Sequence, residues 1–166
     1  MSAPEAMLSG AATLIRSAEG FRACPYRDAG GRVTIGWGST HYRDGRAVAL
    51  GDPPISEAAA EVLLEAAITE MWVSLAPRLE RAPTDGQAAA LLSLAYNIGA
   101  TALAASSLLA KFNRGDIVGA ANEFLRFDKA RIGGVLRALP GLAARRRRER
   151  GLFLTPDALS LRKENS

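Results

Sequence analysis

The sequence predicts an α+β chain, mostly helical, with a short strand-bearing segment set between an N-terminal helix and a longer helical region. Three observations carry this expectation. Apolar residues recur at helical spacing over roughly 4 to 19, and again over most of roughly 56 to 155. Between these stretches, Val33, Ile35 and Trp37 alternate with Thr34, Gly36 and Gly38, a period of two. The length of 166 residues, 48% of them hydrophobic, suits one compact domain or one domain with two lobes.

In the first helix, Pro4 fits the opening turn and Leu8, Ala11, Ala12 and Ile15 form the apolar face. Gly20 is the expected stop. Glu19 follows Ile15 by four residues and so projects from the apolar side, where a carboxylate needs a reason to be. In the strand segment, roughly 21 to 54, one face is bulky and apolar. The other carries the Thr34 hydroxyl between two glycines, which would let something approach the backbone closely. Asp28-Ala-Gly-Gly31 reads as a loop between strands, and Asp44-Gly45 as a hairpin turn.

Ser56 is a good N-cap for a helix whose stripe is Leu63, Leu64, Ala67, Ile68, Met71, Trp72 and Leu75, ended or kinked by Pro77. Thr84 and Gln87 form a capping box that opens a helix over about 85–98. That helix is apolar nearly all round, hence central, and Gly99 caps it. Shorter helices are expected at 106–113 and 116–125, and a last one at about 141–153. On its wheel, Leu142, Arg146, Glu149 and Phe153 share the packing side while Arg147 and Arg148 point away. An arginine on a packing side needs a carboxylate or carbonyl partner.

Composition excludes several classes. The single cysteine, Cys24, permits no intramolecular disulfide; it is expected to be an unpaired, half-buried thiol. One histidine and one cysteine cannot make the usual zinc sites, and a serine or cysteine triad would have to use His41, beside which no nucleophile elbow stands. No run of 18 apolar residues exists, so no stable membrane insertion is expected. Residues Met1 to Ile15 lack a basic leader and make a poor signal peptide. The net charge of +4 suits a polyanionic partner without choosing one.

Glu19 and Asp28 sit in unlike surroundings, an apolar helix end and a polar glycine-rich loop. Such a contrast separates a proton donor from an ionised carboxylate, and glycosidic cleavage needs both. A helix C-terminus disfavours a carboxylate by only about 0.3–1 kcal/mol, so burial would have to do most of the work of keeping a proton there, and a nearby Arg145 or Arg146 would oppose it.

These residues, in the pattern Glu19-x8-Asp28-x5-Thr34, resemble the catalytic signature of phage-type lysozymes, glycoside hydrolase family 24. The resemblance extends to Ile15–Phe21, Tyr26–Asp28, Val33–Gly38, Ala95–Gly99 and the Gly141–Phe153 segment with Arg145, Arg146 and Glu149. It implies a lysozyme-like fold over 1–166: a small β-bearing lobe about 20–55 and a helical lobe about 56–166 packed with the N-terminal helix, with a cleft between. It further implies Glu19 as general acid, Asp28 orienting water or stabilising positive charge, and Thr34 holding that water. Tyr26, Gly36, His41 and Asn97 would contact substrate, Arg145, Arg146 and Glu149 would support the site, and no metal or cofactor is implied. Where the family often has Gly-x-Gly-His, this chain has Ser39-Thr-His41, and Phe127 stands where a tryptophan is common.

The implied activity is hydrolysis of the bond between N-acetylmuramic acid and N-acetylglucosamine in peptidoglycan glycan strands by an endolysin. Such a protein would be a monomer held in the host cytoplasm until a holin or similar protein gives it access to the wall in the periplasm. A lytic transglycosylase is the first alternative, which the water-positioning pair Asp28 and Thr34 disfavours. A non-catalytic wall-binding protein on the same scaffold is disfavoured by retention of all three catalytic residue types. Nucleic-acid binding through Arg145–Arg150 is disfavoured because half the run faces inward.

Overall fold

A computed structural model describes residues 5–156 of the chain. Pro4 therefore lies outside the described residues. The first helix, α1, spans Glu5–Glu19 and buries Met7, Ala11, Ala12 and Ile15. It ends at Gly20, whose φ of 69° is a conformation that suits glycine.

Strands β1 (Arg22–Arg27) and β2 (Val33–Gly36) form an antiparallel pair with Tyr26 opposite Thr34 and Arg27 opposite Val33. The register shifts between Arg22 and Tyr26, where Pro25 has no N–H to give the ladder. The rest of the small lobe is irregular but tied down. Asp52 accepts hydrogen bonds from the Tyr42 hydroxyl, the Arg46 guanidinium and the Ala49 N–H. The Asp44-Gly45 turn forms as expected, with Gly45 N–H donating to the Tyr42 carbonyl and His41 bridging to Ala47.

Helix α2 (Glu57–Leu75) is capped by Ser56, whose hydroxyl accepts from Ala59 N–H, and gives way to a 3-10 turn, Ala76–Arg78, at Pro77. Helix α3 (Asp85–Ile98) opens with the Thr84–Gln87 capping box and is the centre of the molecule. Leu91, Leu92 and Leu94 are fully buried on different sides of it. At about 1.5–3 kcal/mol per buried side chain, these three anchor the large lobe. Helix α3 packs against α1 on one side and α7 (Pro140–Leu154) on the other. Helices α4 (Ala100–Ala104), α5 (Ser107–Asn113) and α6 (Ile117–Phe124) complete the lobe. Phe153 of α7 meets Phe112 and Phe124 at ring-centroid distances of 5.9 and 5.3 Å, fixing α7 against α5 and α6. Among the described residues, no helix is long and apolar enough to cross a membrane.

The structure departs from the sequence expectation in four places. Residues 56–155 are not wholly helical: β3 (Lys129–Ile132) and β4 (Val135–Ala138) form an antiparallel hairpin turned by Gly133 and Gly134. Helix α4 was not expected, because five residues are too few to show a period. Cys24 is exposed rather than half-buried. The glycine face of β2 is not open either. Thr34 is only 2% exposed, and a Cβ on Gly36 would sit 2.8 Å from the Ala60 Cβ of α2. What approaches the backbone at Gly36 is therefore the chain's own helix.

Candidate active site

Glu19 ends α1 with its side chain one-quarter exposed. Its Oε1 accepts a 2.6 Å hydrogen bond from Arg145 Nη1. Arg145 is itself buried, and its other two nitrogens are both engaged: Nε donates to Glu149 Oε1 at 3.2 Å and Nη2 to the Ser93 carbonyl at 3.1 Å. Ser93, on the middle of α3, donates its hydroxyl to Glu149 Oε1 at 2.7 Å. The wheel placed Arg146 and Glu149 inward and left Arg145 unassigned; the structure buries all three, and Arg147 and Arg148 are exposed as expected.

Arg146 completes the cluster. Its Nη2 donates to Glu149 Oε1 at 3.0 Å, and its Nε lies 2.8 Å from Oε2 as a charge contact without hydrogen-bond alignment. Burial disfavours the charged form of both groups, so it lowers the Arg146 pKa to about 10 and raises that of Glu149. Mutual attraction opposes both shifts. Two carboxyl groups and two guanidinium groups thus face one another, and such pairing is what lets the buried Arg145, Arg146 and Glu149 share a mostly apolar interior.

Asp28 is held in a different way. Its Oδ1 accepts from the backbone N–H groups of Gly30 and Arg32, both at 2.9 Å, and its Oδ2 from Arg32 Nε at 2.9 Å. Burial pushes its pKa up, but the hydrogen bonds and charge of Arg32 with the Gly30 N–H outweigh this, and the net shift is downward. Asp28 is thus an ionised carboxylate fixed by its own loop. Thr34 Oγ1 reaches the Tyr26 carbonyl at 3.5 Å, at the long limit of a hydrogen bond.

Tyr96, in the last turn of α3, belongs to the same cluster. Its hydroxyl donates to the Trp37 carbonyl at 3.1 Å, joining the large lobe to the turn that follows β2. That turn is built on two glycines of positive φ, Gly36 at 65° and Gly38 at 96°. A Cβ on Gly38 would stand 3.6 Å from both Glu19 Oε2 and the Tyr96 hydroxyl. Burial is the main cause that pushes the Tyr96 pKa up to about 12. The signal missed in the sequence is that Tyr96 lies three residues after Ser93 and so points to the same face of α3.

The other expected contact residues are more dispersed. Tyr26 is half-buried on β1. Asn97 is half-buried beside Tyr96, while Gly36 is buried under α2. His41 is exposed, with Nδ1 2.9 Å from Thr40 Oγ1. The structure brings together Glu19, Arg145, Arg146, Glu149, Tyr96 and Gly38; it does not draw His41 into that cluster by any hydrogen bond.

A family model described as Phage lysozyme matches residues 16–149, a span that runs from the last turn of α1 to Glu149. An endolysin of Acyrthosiphon pisum secondary endosymbiont phage 1 is 39% identical over 140 residues, which cover 84% of this chain and 92% of that protein. An endolysin of Salmonella phage P22 is 38% identical over 149 residues, covering 89% and 97%. Among solved structures, an endolysin from Escherichia coli O157:H7 phage FAHEc1 matches with a TM-score of 0.81 at 29% identity, over 95% of this chain and 98% of that one. With the match spanning both lobes and every residue of the buried charge cluster, this chain belongs to the phage lysozyme family and is a lysozyme-type peptidoglycan hydrolase.

Proposed function

We propose that the chain hydrolyses the β-1,4 bond between N-acetylmuramic acid and N-acetylglucosamine, with Glu19 as general acid, Asp28 as the ionised partner and Thr34 as a water-holding hydroxyl. The observation that carries this reading is the unequal treatment of the two carboxylates. Asp28 is kept ionised by three hydrogen bonds. Glu19 is held through Oε1 alone, so that Oε2, on the Gly38 side, is free to carry a proton.

Glu19 protonates the departing glycosidic oxygen, the Asp28 carboxylate stabilises positive charge at the sugar or orients water, and that water completes the cleavage. The Thr34 hydroxyl, spending only a long bond on Tyr26, supports the water. Tyr26, His41 and Asn97 line the approach of the glycan, whereas Gly36, expected to join them, is covered by Ala60 of α2. The chain acts as a single domain of two lobes. It acts as a monomer, without nucleic acid or membrane insertion, passing from the host cytoplasm to the periplasmic wall once a holin or similar protein opens the way.

The test is turbidity loss of outer-membrane-permeabilised Gram-negative cells. The native chain clears the suspension, and folded Glu19→Gln does not. Equal clearing by both would remove Glu19 from the acid role. Product mass separates the reactions: hydrolysis adds water, and an anhydro product would instead establish the transglycosylase.

A further inference from the structure

We infer that Tyr96 is a positioning residue of the reaction: its hydroxyl, bonded to the Trp37 carbonyl, holds the Gly36–Gly38 turn against the free oxygen of Glu19 and keeps water out of that gap. The inference rests on the acid role of Glu19 given above.

The turn itself is satisfied within the small lobe. Ile35 N–H donates to the Ser39 carbonyl at 2.9 Å, while Gly38 and Ser39 N–H both donate to the Ile35 carbonyl. The Trp37 carbonyl is left over and points to α3, where Tyr96 takes it at 3.1 Å. This bond crosses between lobes and lies 59 residues apart in sequence. Gly38 is the element it places, since its Cα faces both Glu19 Oε2 and the phenol at 3.6 Å from where a side chain would begin.

The second anchor of the acid comes from the same helix face. The Ser93 carbonyl holds Arg145, and Arg145 holds Glu19 Oε1. One turn of α3 therefore fixes one oxygen of Glu19 through Arg145 and the wall facing the other oxygen through Tyr96. The phenol remains a donor at every working pH, because burial keeps it protonated up to about 12. The charged and titratable groups that meet Glu19 are Arg145 and Arg146 from α7 and Tyr96 from α3, with Arg145 bound in turn to Glu149. Of these, Tyr96 is the one that can lose its polar atom with no change of charge.

The test is Tyr96→Phe, which keeps the ring and removes the bond. On soluble un-crosslinked glycan strands, kcat is expected to fall roughly tenfold with KM within about twofold, the scale of a misplaced catalytic contact. The melting temperature should drop by no more than about 4 °C, as expected for one net hydrogen bond. The rate is expressed per folded molecule, so that a loss of folded protein alone leaves kcat unchanged. Native-like kcat, or a loss of activity that only follows the folded fraction, would overturn the inference. Glu19→Gln is run alongside: its inactivity with a native-like Tyr96→Phe sinks the positioning role alone, whereas an active Glu19→Gln sinks the acid assignment and the inference with it.

Discussion

The two carboxylates assigned to the reaction are held by opposite means. Asp28 is fixed within five residues of chain, by two backbone N–H groups and the Arg32 side chain that follow it. Glu19 is fixed from 126 residues away, by an arginine that is itself locked by Glu149 and Ser93 in the interior of the helical lobe. A local device leaves its carboxylate dependent on one loop. A non-local device makes the geometry of the acid inseparable from the packing of α1, α3 and α7. Perturbing the first should change the chemistry with little effect on the fold, and perturbing the second should change both.

The largest effect is expected from Glu149→Ala. Glu149 is fully buried and is the carboxylate around which Arg145, Arg146 and Ser93 converge. Its removal leaves two buried guanidinium groups sharing only Glu19. Breaking a buried ion pair by deleting one partner costs about 3–5 kcal/mol, which for a chain of this size lowers the melting temperature by roughly 10 °C. Thermal unfolding followed by circular dichroism measures it. A loss smaller than about 1 kcal/mol would mean that the cluster relaxes or admits water, and that Arg145 is not held by Glu149.

Asp28→Asn reverses the balance. Asparagine keeps an oxygen for the Gly30 and Arg32 N–H groups and loses the charge. Lysis should fall by about a hundredfold or more, the usual scale for removing an acid–base group, while stability changes by less than about 1 kcal/mol. Wall lysis and unfolding measured on the same preparation give both numbers. Retained lysis would refute the role given to Asp28.

The same contrast sets what could be read from sequence. The Asp28 loop was legible because its partners are neighbours: an aspartate before two glycines already implies a side chain bonding to backbone two residues on. The burial of Arg146 and Glu149 was legible from a helical wheel, since four residues of α7 at helical spacing had to share a side. Arg145 was not assigned by that wheel. It lies at the edge of the packing face, and only the meeting of α1 with α7 turns it inward. The glycine face of β2 was misread for the same reason: periodicity shows which side lacks bulk but not what fills the space, and Ala60 of α2 fills it. The β3–β4 hairpin escaped notice because its strands are four residues each, alternate poorly and are almost entirely exposed. Tyr96 was hidden in an apolar helix where an aromatic residue ordinarily means core.

The smallest effect, and the finest test of the contrast, is expected from Arg32→Ala. The Arg32 side chain is 69% exposed, so its ion pair with Asp28 is worth about 0–1 kcal/mol and is weakened by salt. The substitution keeps the Arg32 and Gly30 backbone donors, so Asp28 stays in place and only part of its downward pKa shift is lost. The sign of the pH dependence follows. A carboxylate whose folded pKa is depressed adds stability above its ordinary value, here 3.8, and that stability is lost as pH falls through the folded value. The difference in melting temperature between native and Arg32→Ala chains should therefore be small at neutral pH, shrink in high salt and vanish once Asp28 is protonated in both states. A difference that persists in acid would assign Arg32 a packing role instead. A large loss at neutral pH would show that the loop is not held by its backbone, and the distinction between the two carboxylates would then rest on Glu19 alone.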